Sequence, residues 1–398
     1  MLIERRRSTR RSVSRLRARA LLAAIAMLAT SMTAAAGSAT AAMTDLGALG
    51  GPHSAAFAIN ELGWVTGSAD TAPGIRHAFR WTSSGGMRDL GTLGGTTSDG
   101  KAINELGHVA GDARTASGDP HAFRWTPSSG MRDLGTLGGS ESHGESIDAF
   151  GNVSGYSLTA DGVAHAFRWT PSRGMQDLGT LGGDSSGSFA GSALGRTAGY
   201  AQTAQGSLHA VRWTAFGAPQ DLGTLPGGTE SGANAINVLG QVAGYSDTST
   251  GALHAFRWTA AAGMQDLGTL PGGDYSYGRA IGALGHVAGQ ANTMAPDATA
   301  PEFHAFRWTP HGGIQDLGTL GGTESNAVSI NGLGQVTGQA QTEDLSQHAF
   351  RWTAARGMQD LGTLGGAGSF GAAINERGHI VGIADLPDGT SHAFRWSP

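Results

Sequence analysis

The sequence contains no cysteine and a single lysine, Lys101, and only 14% of its 398 residues are charged. The absence of cysteine excludes disulfide bonds and thiolate chemistry, so no covalent bond can hold distant parts of the chain together. A chain with 66 glycines and so little charge would be expected to remain disordered unless apolar residues recur at fixed positions. Here they do recur, in eight copies of one unit.

Two short motifs define that unit. Asp-Leu-Gly begins at Asp45, Asp89, Asp133, Asp177, Asp221, Asp266, Asp316 and Asp360, and His-Ala-(Phe/Val)-Arg-Trp begins at His77, His121, His165, His209, His254, His304, His348 and His392. Five of the seven spacings in each series are 44 residues, and the other two are 45 and 50. A period in the 40s with recurrent Gly and Trp predicts an all-β fold, an eight-bladed β-propeller of four-stranded antiparallel blades.

The N-terminal segment has the character of a removable export signal rather than of a repeat. Eight arginines lie within the first twenty residues, and an apolar stretch at 21–28 and an Ala-Thr-Ala sequence at 39–41 follow. The apolar stretch is shorter than the ~20 residues that span a bilayer. We therefore expect a signal peptide at 1–42 and a secreted, extracellular repeat domain at 43–398, with no stable membrane span after signal removal. An uncleaved membrane anchor is the alternative, and residues 9–13 partly resemble a twin-arginine signal.

The charge of the exported chain disfavours one class of partner. Removing residues 1–42 takes away eight of 26 basic and one of 31 acidic residues, which leaves a net charge of about −12. Such a chain is not expected to bind nucleic acid, because that binding depends on neutralising phosphates. We expect a monomer without a cofactor.

One unit predicts four short strands, at 56–60, 64–68, 77–81 and 87–90, which we name A to D. The arginine of strand C and the aspartate of strand D, such as Arg80 and Asp89, are always nine residues apart, and this spacing predicts a cross-strand ion pair.

At each end of the repeat array, one residue of this Arg–Asp pattern has no partner. Arg395 has no aspartate after it, and Asp45 has no arginine before it in the exported chain. Pairing them predicts that residues 43–49 form the outer strand of the last blade and close the ring, which removes exposed sheet edges. An open solenoid is the alternative, and it would leave Arg395 unpaired.

A serine occupies the same place after strand D in all eight units: Ser54, Ser98, Ser142, Ser186, Ser231, Ser276, Ser325 and Ser369. Serine and histidine in one register are typical of nucleophile and base. Eight equal copies favour a structural hydrogen-bond network instead, because catalysis needs one activated constellation. Eightfold repetition also spreads the histidines too widely for a metal ion, and no loop has a calcium-binding spacing. We expect no metal site.

Together, His-Ala-Phe-Arg-Trp, Gly-Met-(Arg/Gln)-Asp-Leu-Gly-Thr-Leu-Gly-Gly and Ala-Ile-Asn-x-x-Gly-x-Val-x-Gly resemble the HAF-repeat family of bacterial extracellular repeat proteins. The resemblance covers essentially all of residues 43–398. It implies export and a repeat fold, and it brings no catalytic residues with it.

Function is expected where the eight copies differ. The D-to-A and B-to-C loops vary and emerge on the same face of a four-stranded blade. Within strand A, the residue two before the Ile position also varies, and if strand A is innermost it lies at the mouth of a central channel. The candidate binding residues at this mouth and in the variable loops are Lys101, Glu145, Asn234, Arg279, Tyr275, Tyr277 and His53.

Two classes of function stay open. The first is a secreted binding or scaffold module that engages a glycan, a cell-wall component or a protein through its variable face. The second is an extracellular polysaccharide-active hydrolase or lyase with a carboxylate such as Glu145 at the channel mouth. A glycosidase needs two carboxylates at a defined separation, and no such pair stands out.

Overall fold

Every regular element in the described residues is a β-strand. The computed structural model describes residues 42–214, 218–294 and 300–398, so the expected signal at 1–42 lies outside the described part except for Ala42. These residues form 32 strands. Six four-stranded antiparallel sheets and one eight-stranded sheet result, and the larger sheet is two four-stranded units joined by one parallel pairing between Arg76 and Thr97.

Each repeat contributes its strands in the predicted order. The A strands are β2 (Ser54–Ile59), β6 (Gly94–Ile103), β10 (Gly138–Ile147), β14 (Gly182–Gly191), β18 (Ser231–Ile236), β22 (Ser276–Ile281), β26 (Gly321–Ile330) and β30 (Ser369–Ile374). The B strands are β3 (Val65–Ala72), β7 (Val109–Thr115), β11 (Val153–Thr159), β15 (Thr197–Thr203), β19 (Val242–Asp247), β23 (Val287–Thr293), β27 (Val336–Thr342) and β31 (Ile380–Asp385).

The C strands are β4 (Ile75–Thr82), β8 (Pro120–Thr126), β12 (Ala164–Thr170), β16 (Leu208–Trp213), β20 (Leu253–Thr259), β24 (Glu302–Thr309), β28 (Gln347–Thr353) and β32 (Ser391–Ser397). The D strands are β5 (Gly86–Asp89), β9 (Gly130–Asp133), β13 (Gly174–Asp177), β17 (Pro219–Asp221), β21 (Gly263–Asp266), β25 (Gly313–Asp316), β29 (Gly357–Asp360) and, for the eighth unit, β1 (Ala42–Asp45). We call the side with the A-to-B and C-to-D turns the turn face, and the opposite side the loop face.

The N-terminal strand pairs with the C-terminal strand. Strand β1 runs antiparallel to β32, with Asp45 opposite Phe394 and Thr44 opposite Arg395. The strand is shorter than the 43–49 expected, since it ends at Asp45. The following residue, Leu46, is 5% exposed and packs with residues of the first and eighth units.

Apolar side chains are buried between consecutive units rather than within one. Ala78 and Leu90 of the first unit pack against Val109, Phe123 and Trp125 of the second. The A strands of neighbouring units also contact each other along the array. Because a four-stranded sheet has two faces to cover, each unit needs a neighbour on either side.

The repeated serines join each unit to the next, as the sequence predicts. Ser98 Oγ accepts a hydrogen bond from Ala78 N at 2.8 Å and donates to Gly91 O at 2.6 Å. The other seven serines make the equivalent pair of bonds, and Ser54 makes them to Ala393 and Gly47. The serine network is therefore structural.

A second set of bonds between units comes from the A-to-B turns. Asn60 Oδ1 accepts from Trp64 N within its own turn, and Asn60 Nδ2 donates to Asn104 O of the next unit at 3.0 Å. Asn375 of the eighth unit donates in the same way to Asn60 O at 3.0 Å. The buried amide thus stabilises its own turn and binds a neighbouring one.

The expected Arg–Asp ion pair is wrong, and a His–Asp pair takes its place. Asp89 lies opposite Phe79 in the strand register, whereas Arg80 lies opposite Arg88. Since side chains alternate along a strand, the carboxylate shares a face with the histidine two residues before the phenylalanine. His77 Nδ1 contacts Asp89 Oδ2 at 2.9 Å, and the other seven units have the same pair.

The same correction applies where the chain ends meet. Asp45 contacts His392 Nδ1 at 2.9 Å, and Arg395 instead donates to His379 at 3.1 Å. Arg80 lies over the rings of Trp64 and Trp125, with its guanidinium carbon 5.2 and 4.9 Å from their centroids. Six of the eight strand C arginines join neighbouring units through such cation–π contacts with the tryptophan of the next unit.

Three glutamates on the turn face accept backbone N–H groups from adjacent units. Glu105 Oε1 accepts from Glu61 N at 3.1 Å, and Glu61 Oε1 accepts from Glu376 N at 3.0 Å. Glu376 accepts from Gly332 N at 2.8 Å. Burial, together with the charges of Glu376 and Glu105, raises the pKa of Glu61 to about 7 against the opposing effects of the hydrogen bond from Glu376 N and the charge of Arg377.

Replacing Glu61 by Gln is expected to change how stability depends on pH. The folded-state pKa lies above the ordinary 4.5, so the native chain takes up a proton between these values. The resulting stability is fully present below pH 4.5 and is lost as pH rises through about 7. We expect Glu61→Gln to be more stable than the parent by about 1 kcal/mol at pH 8, allowing for solvent screening, with no difference at pH 4.5. Urea unfolding across this pH range measures it.

The matched control is Glu324→Gln, at an exposed position of β26. Its unfolding curve should run parallel to that of the parent at every pH. If Glu61→Gln also runs parallel, the raised pKa of Glu61 is wrong.

Candidate functional site

The variable position of strand A is a β-bulge in every unit. In the second unit Gly100 pairs with Gly111 and Ala102 pairs with Ala110, so Lys101 is the extra residue between them. The bulge residues are Phe57, Lys101, Glu145, Phe189, Asn234, Arg279, Val328 and Ala372. A bulge redirects one side chain without changing the rest of the ladder. The variability of this position is visible in the sequence, but the bulge is not.

A glycine of strand B makes room for each bulge. A Cβ added at Gly155 would lie 1.8 Å from His143 O, and one at Gly244 would lie 1.9 Å from Gly232 O. The backbone of the bulged strand thus occupies the space of a side chain. This explains why strand B always carries Gly in the third place of its Val-x-Gly segment.

The residue after this glycine also varies between units, and it is not among the candidate binding residues predicted from the sequence. It pairs with the residue two before the bulge, as Tyr156 does with His143. The eight strand B residues are Ser68, Asp112, Tyr156, Tyr200, Tyr245, Gln290, Gln339 and Ile383. The signal was present as the one strongly variable place in the Val-x-Gly-x-(Ala/Ser) segment of strand B.

A compact charged cluster lies between the second and third units. Lys101 Nζ is 2.5 Å from Asp112 Oδ1 and 2.8 Å from Glu145 Oε1. His143 Nδ1 lies 3.5 Å from Asp112 Oδ1. The only lysine of the chain is thus held between two carboxylates.

These contacts set the protonation of the cluster. Burial alone would lower the pKa of Lys101, but the charges of Asp112 and Glu145 outweigh it and raise that pKa. Burial opposes ionisation of Asp112, yet the hydrogen bond from His143 and the charge of Lys101 lower its pKa below the usual value. Lys101 and Asp112 are therefore charged at neutral pH, and the cluster is a fixed network of ion pairs.

Aromatic rings continue from this cluster through the third to the sixth units. We call His143, Tyr156, Phe189, Tyr200, Tyr245 and Tyr277 the aromatic arc. His143 stacks on Tyr156 at 4.8 Å between centroids, Tyr156 meets Phe189 edge-on at 6.4 Å, and Phe189 lies 5.5 Å from Tyr200. Tyr245 stacks on Tyr277 at 4.7 Å. The arc comes from strand B residues, bulge residues and their pairing partners.

The far end of the arc carries further polar groups. Arg279 lies over Tyr277, with its guanidinium carbon 5.5 Å from the ring centroid. Asn234 Nδ2 donates to Gly278 O at 2.8 Å. Burial raises the pKa of the Tyr245 hydroxyl, so it remains a hydrogen-bond donor at neutral pH.

The structure brings the predicted site residues together in two groups. Lys101 and Glu145 form one, and Asn234, Tyr277 and Arg279 form the other.

Two predicted residues lie elsewhere. Tyr275 packs edge-on against Phe303, with ring centroids 5.8 Å apart. His53 Nδ1 accepts a hydrogen bond from Ser391 N at 3.2 Å, so it joins the first and eighth units.

The described residues contain no group of three His, Asp or Glu side chains arranged to hold a metal ion. Among the same residues, no helix is long and apolar enough to cross a membrane.

Comparison with known proteins finds distant structural likeness only. No protein-family model matches the sequence, and no curated protein matches it significantly. Similar solved structures include BP39L lectin from Burkholderia pseudomallei, with 11% identity over 81% of this chain and 98% of that chain and a TM-score of 0.39. The six-bladed, fucose-recognising Aleuria aurantia lectin has 11% identity over 65% of this chain and 91% of that one, with a TM-score of 0.29.

A puromycin hydrolase has 13% identity over 86% of this chain and 58% of that chain, with a TM-score of 0.44. At such identities and TM-scores, none of these proteins transfers a blade number, ligand or activity to this chain.

Proposed function

We propose that the eight four-stranded units form a closed eight-bladed propeller. The support is that the eighth unit contacts the first through the bonds that join other neighbours. Ser54 bonds to Ala393 N, Asn375 donates to Asn60 O, and His392 contacts Asp45 of the strand supplied by the N-terminal end. In a ring closed in this way, β1 pairs with the edge of β32 that would otherwise be exposed.

We propose further that the protein is a binding module for an extracellular glycan, with its site on the loop face along the aromatic arc. The observation that carries this proposal is the arc itself, five tyrosine or phenylalanine rings and one histidine next to charged groups. Sugar rings present apolar C–H faces for stacking and hydroxyl edges for hydrogen bonds. Aromatic rings with polar tips beside Lys101, Asp112 and Glu145 match both features.

The hydrolase or lyase alternative finds less support in the same cluster. A general acid needs a carboxyl group whose pKa is raised, whereas the pKa of Asp112 is lowered. Glu145, the carboxylate named from the sequence, is bound to Lys101 at 2.8 Å. The cluster is better suited to orienting a ligand than to transferring protons.

We propose that residues 1–42 direct secretion and that residues 43–398 are a HAF-repeat domain, since the arginine-rich leader and the three ordered motifs support both. Signal cleavage is measured by N-terminal sequencing of protein recovered from the culture medium.

The test of the binding site is a glycan array probed with residues 42–398 and with two matched variants. Tyr245→Ala removes one ring from the arc and is expected to weaken binding at least tenfold, about 1.4 kcal/mol. Ile383→Ala, at the same register position in the eighth unit, should bind as the parent does.

Equal loss in both variants would point to a general structural effect and not to the arc. An array without any bound glycan would contradict the glycan proposal and favour a protein ligand. Release of reducing ends from a bound polysaccharide would restore the enzyme alternative.

A further inference from the structure

In seven of the eight units the A-to-B turn places one leucine or phenylalanine on the turn face, and the eighth unit has Arg377 at this place. Six of these side chains are more than half exposed: Leu62 51%, Leu106 57%, Phe150 57%, Leu239 57%, Leu284 62% and Leu333 55%. The turn itself does not need them, because the asparagine and glycine on either side close it, as Asn104 O does by accepting from Gly107 N at 2.9 Å. Single exposed leucines are ordinary, but a set repeated on one face marks an interaction surface.

The turn face also carries most of the positive charge of the repeat domain. The arginine of every C strand lies near this face, since Arg80 pairs with Thr66 at the start of β3 and with Arg88 at the start of β5. Besides these eight, the arginines on this face are Arg88, Arg132, Arg173, Arg196, Arg356 and Arg377. Among the described residues, the carboxylates on the same face are Glu61, Glu105, Asp148 and Glu376.

The loop face has the opposite balance. Its basic residues in the described ranges are Arg76, Lys101, Arg114 and Arg279, and the other carboxylates of those ranges lie on this side. The net charge of about −12 therefore conceals two faces of opposite sign. A ligand of the turn face should be anionic and should also offer an apolar environment to the leucines.

We propose that the turn face binds the surface of a bilayer that contains anionic lipids. The exposed arginines of this face, among them Arg88, Arg132 and Arg377, pair with lipid phosphates, and the leucine and phenylalanine side chains enter the boundary between headgroups and acyl chains. A nucleic acid would satisfy the arginines but has no apolar layer for the leucines. A second turn face would be repelled by like charge. This proposal goes beyond the glycan site, which lies on the other face, and stands independently of it.

The test is flotation of residues 42–398 with two kinds of vesicle. One kind is pure phosphatidylcholine, and the other contains equal parts of phosphatidylcholine and phosphatidylglycerol. We expect at least tenfold stronger binding to the anionic vesicles, and weaker binding as salt is raised, because salt screens the arginines.

Two double variants test whether vesicle binding depends on the turn face or on the loop face. Leu106→Ser/Leu284→Ser should lower binding to anionic vesicles at least tenfold. Ile75→Ser/Leu345→Ser removes two exposed apolar side chains from the loop face, where they are 37% and 61% exposed, and should leave vesicle binding unchanged. Circular dichroism and thermal unfolding of both variants check that the fold is retained.

No preference for phosphatidylglycerol, or an equal loss in both double variants, would overturn the proposal. Tight binding of short duplex DNA together with no vesicle binding would also overturn it and would make nucleic acid the partner.

Discussion

Gly244→Ala is expected to unfold the repeat domain or to destabilise it by at least about 4 kcal/mol, a loss at the extreme of single substitutions. The new Cβ would lie 1.9 Å from Gly232 O and 2.9 Å from Ala233 Cα, so backbone of the paired strand has to move. Such movement breaks the bulge and the ladder bonds around it. Thermal and urea unfolding, followed by circular dichroism, measure the loss.

The control for this prediction is Gly251→Ala. Gly251 has a φ of +80° and no atom within 4 Å of the added Cβ, so its replacement costs only backbone strain, about 1–2 kcal/mol. The difference between the two variants therefore measures the clash at the bulge. Equal effects of the two would mean that the strand B glycine is kept for conformational freedom and not for space.

Removal of strand β1 is the second change for which we expect a large effect. A chain that begins at residue 50 loses the partner of β32, the buried Leu46 side chain and the acceptor for Ser54 Oγ. We expect thermal unfolding at least about 10 °C lower than for residues 42–398, since losing a buried leucine alone costs about 2–5 kcal/mol. The exposed edge of β32 should also promote aggregation.

A circular permutant is the sharpest control for this experiment. In it, residues 42–49 follow Pro398 through a Ser-Gly linker, so three residues separate Ser397 from Ala42, as three separate the paired Thr126 and Gly130 of another unit. If the proposed ring is correct, the permutant regains the stability of the parent. A truncated chain that is as stable as the parent would favour the open solenoid.

Much of the fold was predictable because the repeat constrains it. The 44-residue period, the order of four strands and the structural role of Ser98 and its equivalents follow from counting residue types in register. Repetition of a buried polar group once per unit leaves few alternatives to a bond between units.

It was harder to predict from the sequence which residues the charged side chains contact across the strands. Spacing alone placed Asp89 near Arg80, but the hairpin register is one residue different, and one residue reverses the face of a strand. Turn length sets that register, and the exact turn could not be derived from composition. The histidine at the correct parity was therefore overlooked.

Part of the candidate site was predicted from the sequence, again by comparing the repeats. Variation between repeats identified the bulge residues, Lys101 and Glu145 among them, without reference to geometry. The strand B residues Asp112, Tyr156 and Tyr245 were not predicted, because their variation becomes informative only when strands A and B are known to pair at this position. Which of the varying residues touch each other depends on the bulge, and a bulge has no reliable signature in a single sequence.

The bulge allows the side chain that faces a ligand to change without changing the backbone that holds it. Its side chain lies outside the pairing ladder, so the hydrogen bonds of strands A and B do not depend on which residue stands there. Seven different residue types, from the alanine at 372 to the arginine at 279, already occupy the eight bulge positions. A combinatorial library at these eight places would therefore sample new ligand specificities while the scaffold stays constant, and neighbouring positions would vary together where their side chains meet, as those of Lys101 and Glu145 do.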